Sequence, residues 1–164
     1  MRIVKLALIS AVVLFGLIFF LTMLIPSHVR VSRAINIDAP LDSVIGEIKD
    51  IRNWKNWNEM LNNPQFKDVE YTEKSFSADQ LKVELQGAYK DSVITDWHQK
   101  GGRDIHSGFA AYTLSGVTVV QWYFDFHLRW YPWEKIGSII FDKQLGPPME
   151  KSLDNLKRTI EKHP

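Results

Sequence analysis

The chain has no cysteine. That removes disulfide bridges and thiolate metal ligands from consideration and leaves the redox compartment open, because cysteine-free chains suit either side of a membrane. It lacks an excess of either charge, with 20 Lys and Arg against 19 Asp and Glu. A near-neutral surface of mixed signs has no electrostatic footprint for nucleic acid. No phosphate-cradling glycine loop, dinucleotide fingerprint or nucleophile motif occurs, and Gly101-Gly102 reads only as a turn. Internal repeats, low-complexity stretches and long linkers are missing too. The most informative absence is local: residues 6–25 carry no charged side chain.

As a helix rising 1.5 Å per residue, that run spans about 30 Å, the thickness of a bilayer's hydrocarbon core. Ser10, Gly16 and Thr22 fit within it, since small residues and hydroxyls are tolerated in lipid. A cleavable signal peptide would share the cationic Arg2 and Lys5, but its apolar core is about 7–15 residues long and ends in a small-x-small site. The sequence after Ile25, Pro26-Ser27-His28-Val29-Arg30, offers no such site. The expectation is a single-pass signal-anchor over residues 1–28 and one domain over residues 29–164. Arg30 and Arg33 balance Arg2 and Lys5 across the span. The orientation chosen is a short tail inside and the domain on the exocytoplasmic, periplasmic side.

Residues 29–37 alternate apolar and polar, the period of a strand with one buried face. Ala39-Pro40 then opens a helix with Leu41, Val44, Ile45, Ile48 and Ile51 at helical spacing, followed by a short helix carrying Trp54 and Trp57. After Asn62-Asn63-Pro64, strands are expected near 66–74, 79–87, 90–98, 103–114 and 116–130. Their turns fall at Ser75 to Ala78, around Gly87-Ala88, at Gly101-Gly102 and at Ser115-Gly116. These hairpin-length spacings make the sheet antiparallel and give it six strands in all. From Pro132 a helical period returns, with Trp133, Ile136, Ile139, Ile140, Met149, Leu153, Leu156 and Ile160 read as one buried stripe. Gly146-Pro147-Pro148 should kink or divide this terminal helix. The order defines an α+β fold in which a curved antiparallel sheet wraps the long terminal helix and leaves a cavity.

Three blocks then resemble a known family. Val31 to Val44, with Ala39-Pro40, leads into Asn53-Trp54-Lys55-Asn56-Trp57; Val120-Gln121-Trp122 follows in a late strand; Leu145-Gly146-Pro147-Pro148 opens a closing Leu153-x-x-Leu156-Lys157 helix. Together they are similar to START-like domains of the SRPBCC superfamily, the polyketide cyclase/dehydrase and lipid transport group. The resemblance covers roughly residues 29–162. It implies a helix-grip fold with an internal hydrophobic cavity, in a superfamily where many members have seven strands and functions range from cyclases to lipid carriers and hormone receptors.

Along Val117–Trp130 the two faces separate, with Thr118, Val120, Trp122, Phe124, Phe126, Leu128 and Trp130 inward. Candidate cavity-lining residues are Trp54, Trp57, Trp122, Phe124, Phe126, Trp133, Ile136 and Ile140; packing in the core is the competing role for each. Asp125 and His127 share the opposite face and could exchange a proton, although that face of a strand is normally solvated. Asp104 and His106 repeat the spacing on the neighbouring strand. With no known ligand spacing, neither pair is taken as a metal site, and no catalytic residue or cofactor is assigned. The aromatic corner Trp130-Tyr131-Pro132-Trp133 could instead meet a membrane interface. The expected function is a membrane-anchored, non-catalytic binding domain for a lipid-like or other apolar molecule. The alternatives are a cyclase- or dehydratase-like enzyme with acid/base residues in the cavity, and an interaction module with a filled core.

Overall fold

A computed structural model describes residues 2–162. Helix α1 (Arg2–Met23) is long and apolar enough to cross a bilayer and leaves most of its side chains exposed. Its last turn is different: Thr22 is buried and returns its hydroxyl to the Phe19 carbonyl at 2.7 Å. β1 (His28–Ile37) follows almost at once, then α2 (Leu41–Lys49), a 3₁₀ turn at Ile51–Asn53 and α3 (Trp54–Trp57). Pro40 caps α2, whose Val44, Ile45 and Ile48 are buried as their spacing requires.

The remaining strands are β2 (Glu70–Tyr71), β3 (Ser75–Ser77), β4 (Leu81–Ala88), β5 (Ser92–Gln99), β6 (Asp104–Leu114) and β7 (Val117–His127). With β1 they form one antiparallel sheet of seven strands in the order β1-β7-β6-β5-β4-β3-β2. The expected six become seven because the Ser75–Ala78 turn is in fact mostly strand. Phe76 between two serines points into the core and pairs with Val83, while the chain reverses at 72–75, where the Thr72 N–H donates to the Ser75 carbonyl at 2.8 Å. Strand 66–74 is thereby reduced to β2. The turn expected at Gly87-Ala88 lies two residues later, because the bulge between Leu85 and Gly87 lets β4 run on to Ala88. Ser115-Gly116 does make the last hairpin, both residues having positive φ (51° and 87°).

Alternation on β7 holds from Thr118 to Phe126, and the strand stops at His127 rather than Trp130, which is exposed. After it come α4 (Pro132–Gly137), a 3₁₀ turn at Ser138–Ile140 and α5 (Phe141–Glu161). The division of the terminal helix therefore falls at 138–140 and not at Gly146-Pro147-Pro148. The two prolines withdraw donors from the carbonyls of Lys143 and Gln144, both on exposed residues where water can take the place of the lost bonds, so α5 continues. Met149, Leu153, Leu156 and Ile160 are buried against the sheet, but Trp133, Ile136, Ile139 and Ile140 are not: they are 48–68% exposed. The single stripe read from the sequence is two faces, one covered by the sheet and one uncovered.

Candidate functional site

α5 lies along β1, and α3 packs on α5, so one half of the space between sheet and helix is closed. Aromatic rings fill it. Trp122 stacks on Phe109 at 4.9 Å between centroids, Trp54 meets Trp57 at 5.3 Å, and both contact Phe109 edge-on. Indole N–H groups in such a core need acceptors. Trp54 donates to the Ile48 carbonyl at 2.7 Å, and Trp122 to the Ser107 hydroxyl at 2.9 Å, which in turn donates to the Tyr123 carbonyl. Trp57 Nε1 and Asn58 Nδ2 are buried without a partner.

The other half is open. An inner cavity of about 270 Å³ lies between β4–β7 and the start of α5, lined by Met60, Leu81, Trp97, Ile105, Phe124 and Leu145 among others. Its polar contributions are the neutral amides of Gln99 and Gln144; none of its lining residues is ionisable. Phe126 and Phe141, their ring centroids 4.6 Å apart, border both it and an outer cavity of about 650 Å³. The outer cavity is walled by Trp133, Gly137 and Leu128 and has its polar groups, Arg103, Asp104, His106, His127 and Glu134, around it. Its volume is within the range of about 300–1,000 Å³ usual for small-molecule sites.

Each of those groups has a partner in the structure. Arg103 forms a two-pronged pair with Glu134, and the Arg129 backbone N–H also donates to Glu134 at 2.9 Å. Both contacts hold the Glu134 carboxyl below the usual carboxylate range. Asp104 pairs with His98 at 2.7 Å, and His106 with Asp96. On the outer face, Arg30 binds both oxygens of Asp125 at 2.6 Å, which lowers the pKa of that carboxyl, and lies 4.3 Å over the Tyr123 ring. Asp125 and His127 thus do not form a pair. The His127 ring packs on His28 at 4.8 Å, while its carbonyl accepts from Arg103 at 3.3 Å. His127 was expected away from the cavity; its ring is on that far face, but the strand ends here and the residue borders the mouth. Among the described residues no group of three or more His, Asp or Glu is arranged to hold a metal ion.

Of the sequence candidates, Phe124 and Phe126 border the inner cavity, and Phe126 and Trp133 the outer one. Trp54, Trp57 and Trp122 border neither, because they are fully buried against one another and Phe109. Ile136 and Ile140 also lie off both cavities, about half exposed on the outside. Leu81, Trp97, Ile105 and Phe141 were missed. Strand register could have found three of them: Trp97 is directly opposite Ile105, and Leu81 opposite Gln99.

No family model matches this sequence, and no curated protein matches it. Solved structures do. The chain is similar to the Staphylococcus aureus protein of unknown function SA2116 (13% identity over 82% of this chain and 94% of that one, TM-score 0.64). It is similar to a START superfamily protein from Mycobacterium smegmatis (14% identity, 81% and 97% covered, TM-score 0.59). It also resembles BexL, a di-domain ARO/CYC protein of the BE-7585A biosynthetic pathway, at 11% identity and TM-score 0.60, covering 84% of this chain and 52% of BexL, about half its length. The fold is START-like: an α+β arrangement of a seven-stranded antiparallel sheet on a long C-terminal helix, with an apolar N-terminal helix added.

Proposed function

We propose that this chain is a membrane-anchored binding domain, residues 29–164 on a span within residues 1–28, whose cavity accepts a lipid-like or other apolar molecule. One observation carries the reading: the inner cavity has an apolar wall without an ionisable group, and it adjoins a wider outer cavity with which it shares Gln99, Ile105, Phe126 and Phe141. An aliphatic or aromatic portion of a ligand gains about 25 cal/mol per Å² by leaving water for such a wall, and Gln99 and Gln144 can hold one polar group. The START-like fold supports the same class of ligand. The exposed apolar length of α1 supports the anchor, and the periplasmic side remains the proposed location of the domain.

A cyclase- or dehydratase-like reaction would need an acid or base facing the ligand. The carboxylates at the mouth are instead occupied, Glu134 by Arg103 and Asp104 by His98, and none reaches the inner cavity. At the inner cavity, which no imidazole borders either, this favours binding over catalysis. Native mass spectrometry of the full chain released from its membrane should show a co-purifying apolar molecule bound one to one. The variant Ile105→Trp, which fills the inner cavity, should lose it. Protein that is consistently bare when released from native membranes counts against the reading.

A further inference from the structure

The end of α1 and the segment leading into and through α4 are joined by two contacts, one polar and one aromatic. The Lys135 ammonium, on a residue only 7% exposed, donates to the Ile25 carbonyl at 2.7 Å, beside the negative end of the helix dipole. The buried Thr22 lies in the same terminal turn. Phe19 meets Trp130 edge-on at 6.3 Å. The Trp130–Ile140 segment is therefore beside the point where α1 ends.

From that point an unbroken aromatic series leads to the cavity. Trp130 is 4.9 Å from Tyr131, Tyr131 stacks flat on Trp133 at 4.8 Å, and Trp133 is part of the outer cavity's wall. Trp130, Trp133, Ile136, Ile139 and Ile140 are 65, 68, 49, 65 and 48% exposed. Five large apolar side chains on one short segment form a patch of the kind that marks an interaction surface. Its composition, Trp and Tyr next to aliphatic residues, is that of the bilayer's polar-apolar boundary. Its continuity with the apolar surface of α1 selects lipid over a protein partner.

We propose that residues 130–140 form a docking foot that dips into the bilayer interface beside α1, so that the outer cavity opens onto lipid at Trp133 and Gly137. The proposal rests on the membrane-anchored reading and adds the attitude of the mouth. An apolar ligand would move between bilayer and cavity along the Trp130-Tyr131-Trp133 surface without crossing water.

The absence of native cysteine makes a direct test simple. The variants Val13→Cys, Ile139→Cys and Asp91→Cys of the full chain, each spin-labelled, are reconstituted in phosphatidylcholine–phosphatidylglycerol nanodiscs. Collision rates are then measured with oxygen, which concentrates in lipid, and with a nickel chelate, which stays in water. Val13 is on the apolar helix and Asp91 is an exposed turn residue. The expected result is a deep label at Val13, a shallow but lipid-immersed label at Ile139 with oxygen collisions at least several-fold favoured, and an aqueous label at Asp91. A label at Ile139 as open to nickel as that at Asp91, with Val13 still deep, overturns the docking foot and leaves the anchor standing. An aqueous label at Val13 overturns the anchor, and the foot with it.

Discussion

Arg33 lies across α5 at Gly146. Its guanidinium packs on the glycine where any Cβ would collide with it, and reaches Asp142 one turn before at 2.8 Å and Glu150 one turn after at 2.6 Å. Residues 142, 146 and 150 share one helical face, so the bare centre of that face receives the guanidinium and its two flanks supply the counter-charges. Both carboxylates raise the arginine's pKa further above its already high value.

Replacing Gly146 by Ala should therefore displace a flexible side chain rather than the backbone. Alanine's helix propensity gains about 1 kcal/mol, and the exposed ion pairs contribute little, so stability should stay within about 1 kcal/mol of the parent. The Arg33 Nε–H resonance, shifted and protected by Glu150 in the parent, should revert to that of a free arginine. A loss above about 3 kcal/mol would mean that the missing Cβ sets the distance between α5 and β1.

The two neighbouring tryptophans of α3 should differ in their response to the same change. Trp54→Phe removes the donor to the Ile48 carbonyl, whereas Trp57→Phe removes an N–H that has no acceptor. Both lose similar volume, so Trp54→Phe should be the costlier by about 1 kcal/mol in denaturant unfolding. Equal costs would show that the Trp57 N–H is satisfied in solution.

Core and cavity are separable by two substitutions. Trp122→Ala removes a fully buried ring from the aromatic stack and should cost about 3–5 kcal/mol with any bound molecule still present in what remains folded. Ile105→Trp should do the reverse, displacing the ligand from the cavity it fills while unfolding within about 1.5 kcal/mol of the parent. Loss of ligand in Trp122→Ala protein that retains its near-ultraviolet dichroism would bring that ring into the site.

His98 stands between Asp104 at 2.7 Å and Glu84 at 3.2 Å, and the hydrogen bond to Asp104 is the main reason its pKa is raised above 6.5. A group with a raised folded pKa binds its proton more tightly when folded. Its contribution to stability is complete below the unfolded value, declines as pH rises from there, and is gone once pH passes the raised folded value. Titration by histidine NMR should place His98 above the ordinary range, and Asp104→Asn should bring it down towards 6.5. A parent titration at or below 6.5 would refute the pairing.

The sequence made β7 readable because its period-2 alternation from Thr118 to Phe126 has no bulge, and Ser115-Gly116 marked its start. It concealed the cavity floor for a register reason. Leu81, Trp97 and Ile105 converge only through the pairing of β4, β5 and β6, and the β4 bulge displaces that register by one residue. Trp133, Ile136, Ile139 and Ile140 were misassigned for another reason. An apolar stripe on a helix says that something apolar should face it, and the period does not say whether the sheet of the same fold supplies that cover. Phe76 escaped because a single buried ring between serines has the composition of a turn.

The link between helix and domain limits what the domain can do with a ligand. Only residues 24–27 separate Met23 from His28, and Ser27 is already tied to the end of β7 through the Leu128 N–H at 2.7 Å. Fully extended, such a link reaches at most about 14 Å. On the anchored reading the protein is no ferry: it cannot leave its own membrane to load at one surface and unload at another. Whatever it holds must be received and surrendered at a single address, so the next participant in the exchange has to come to it.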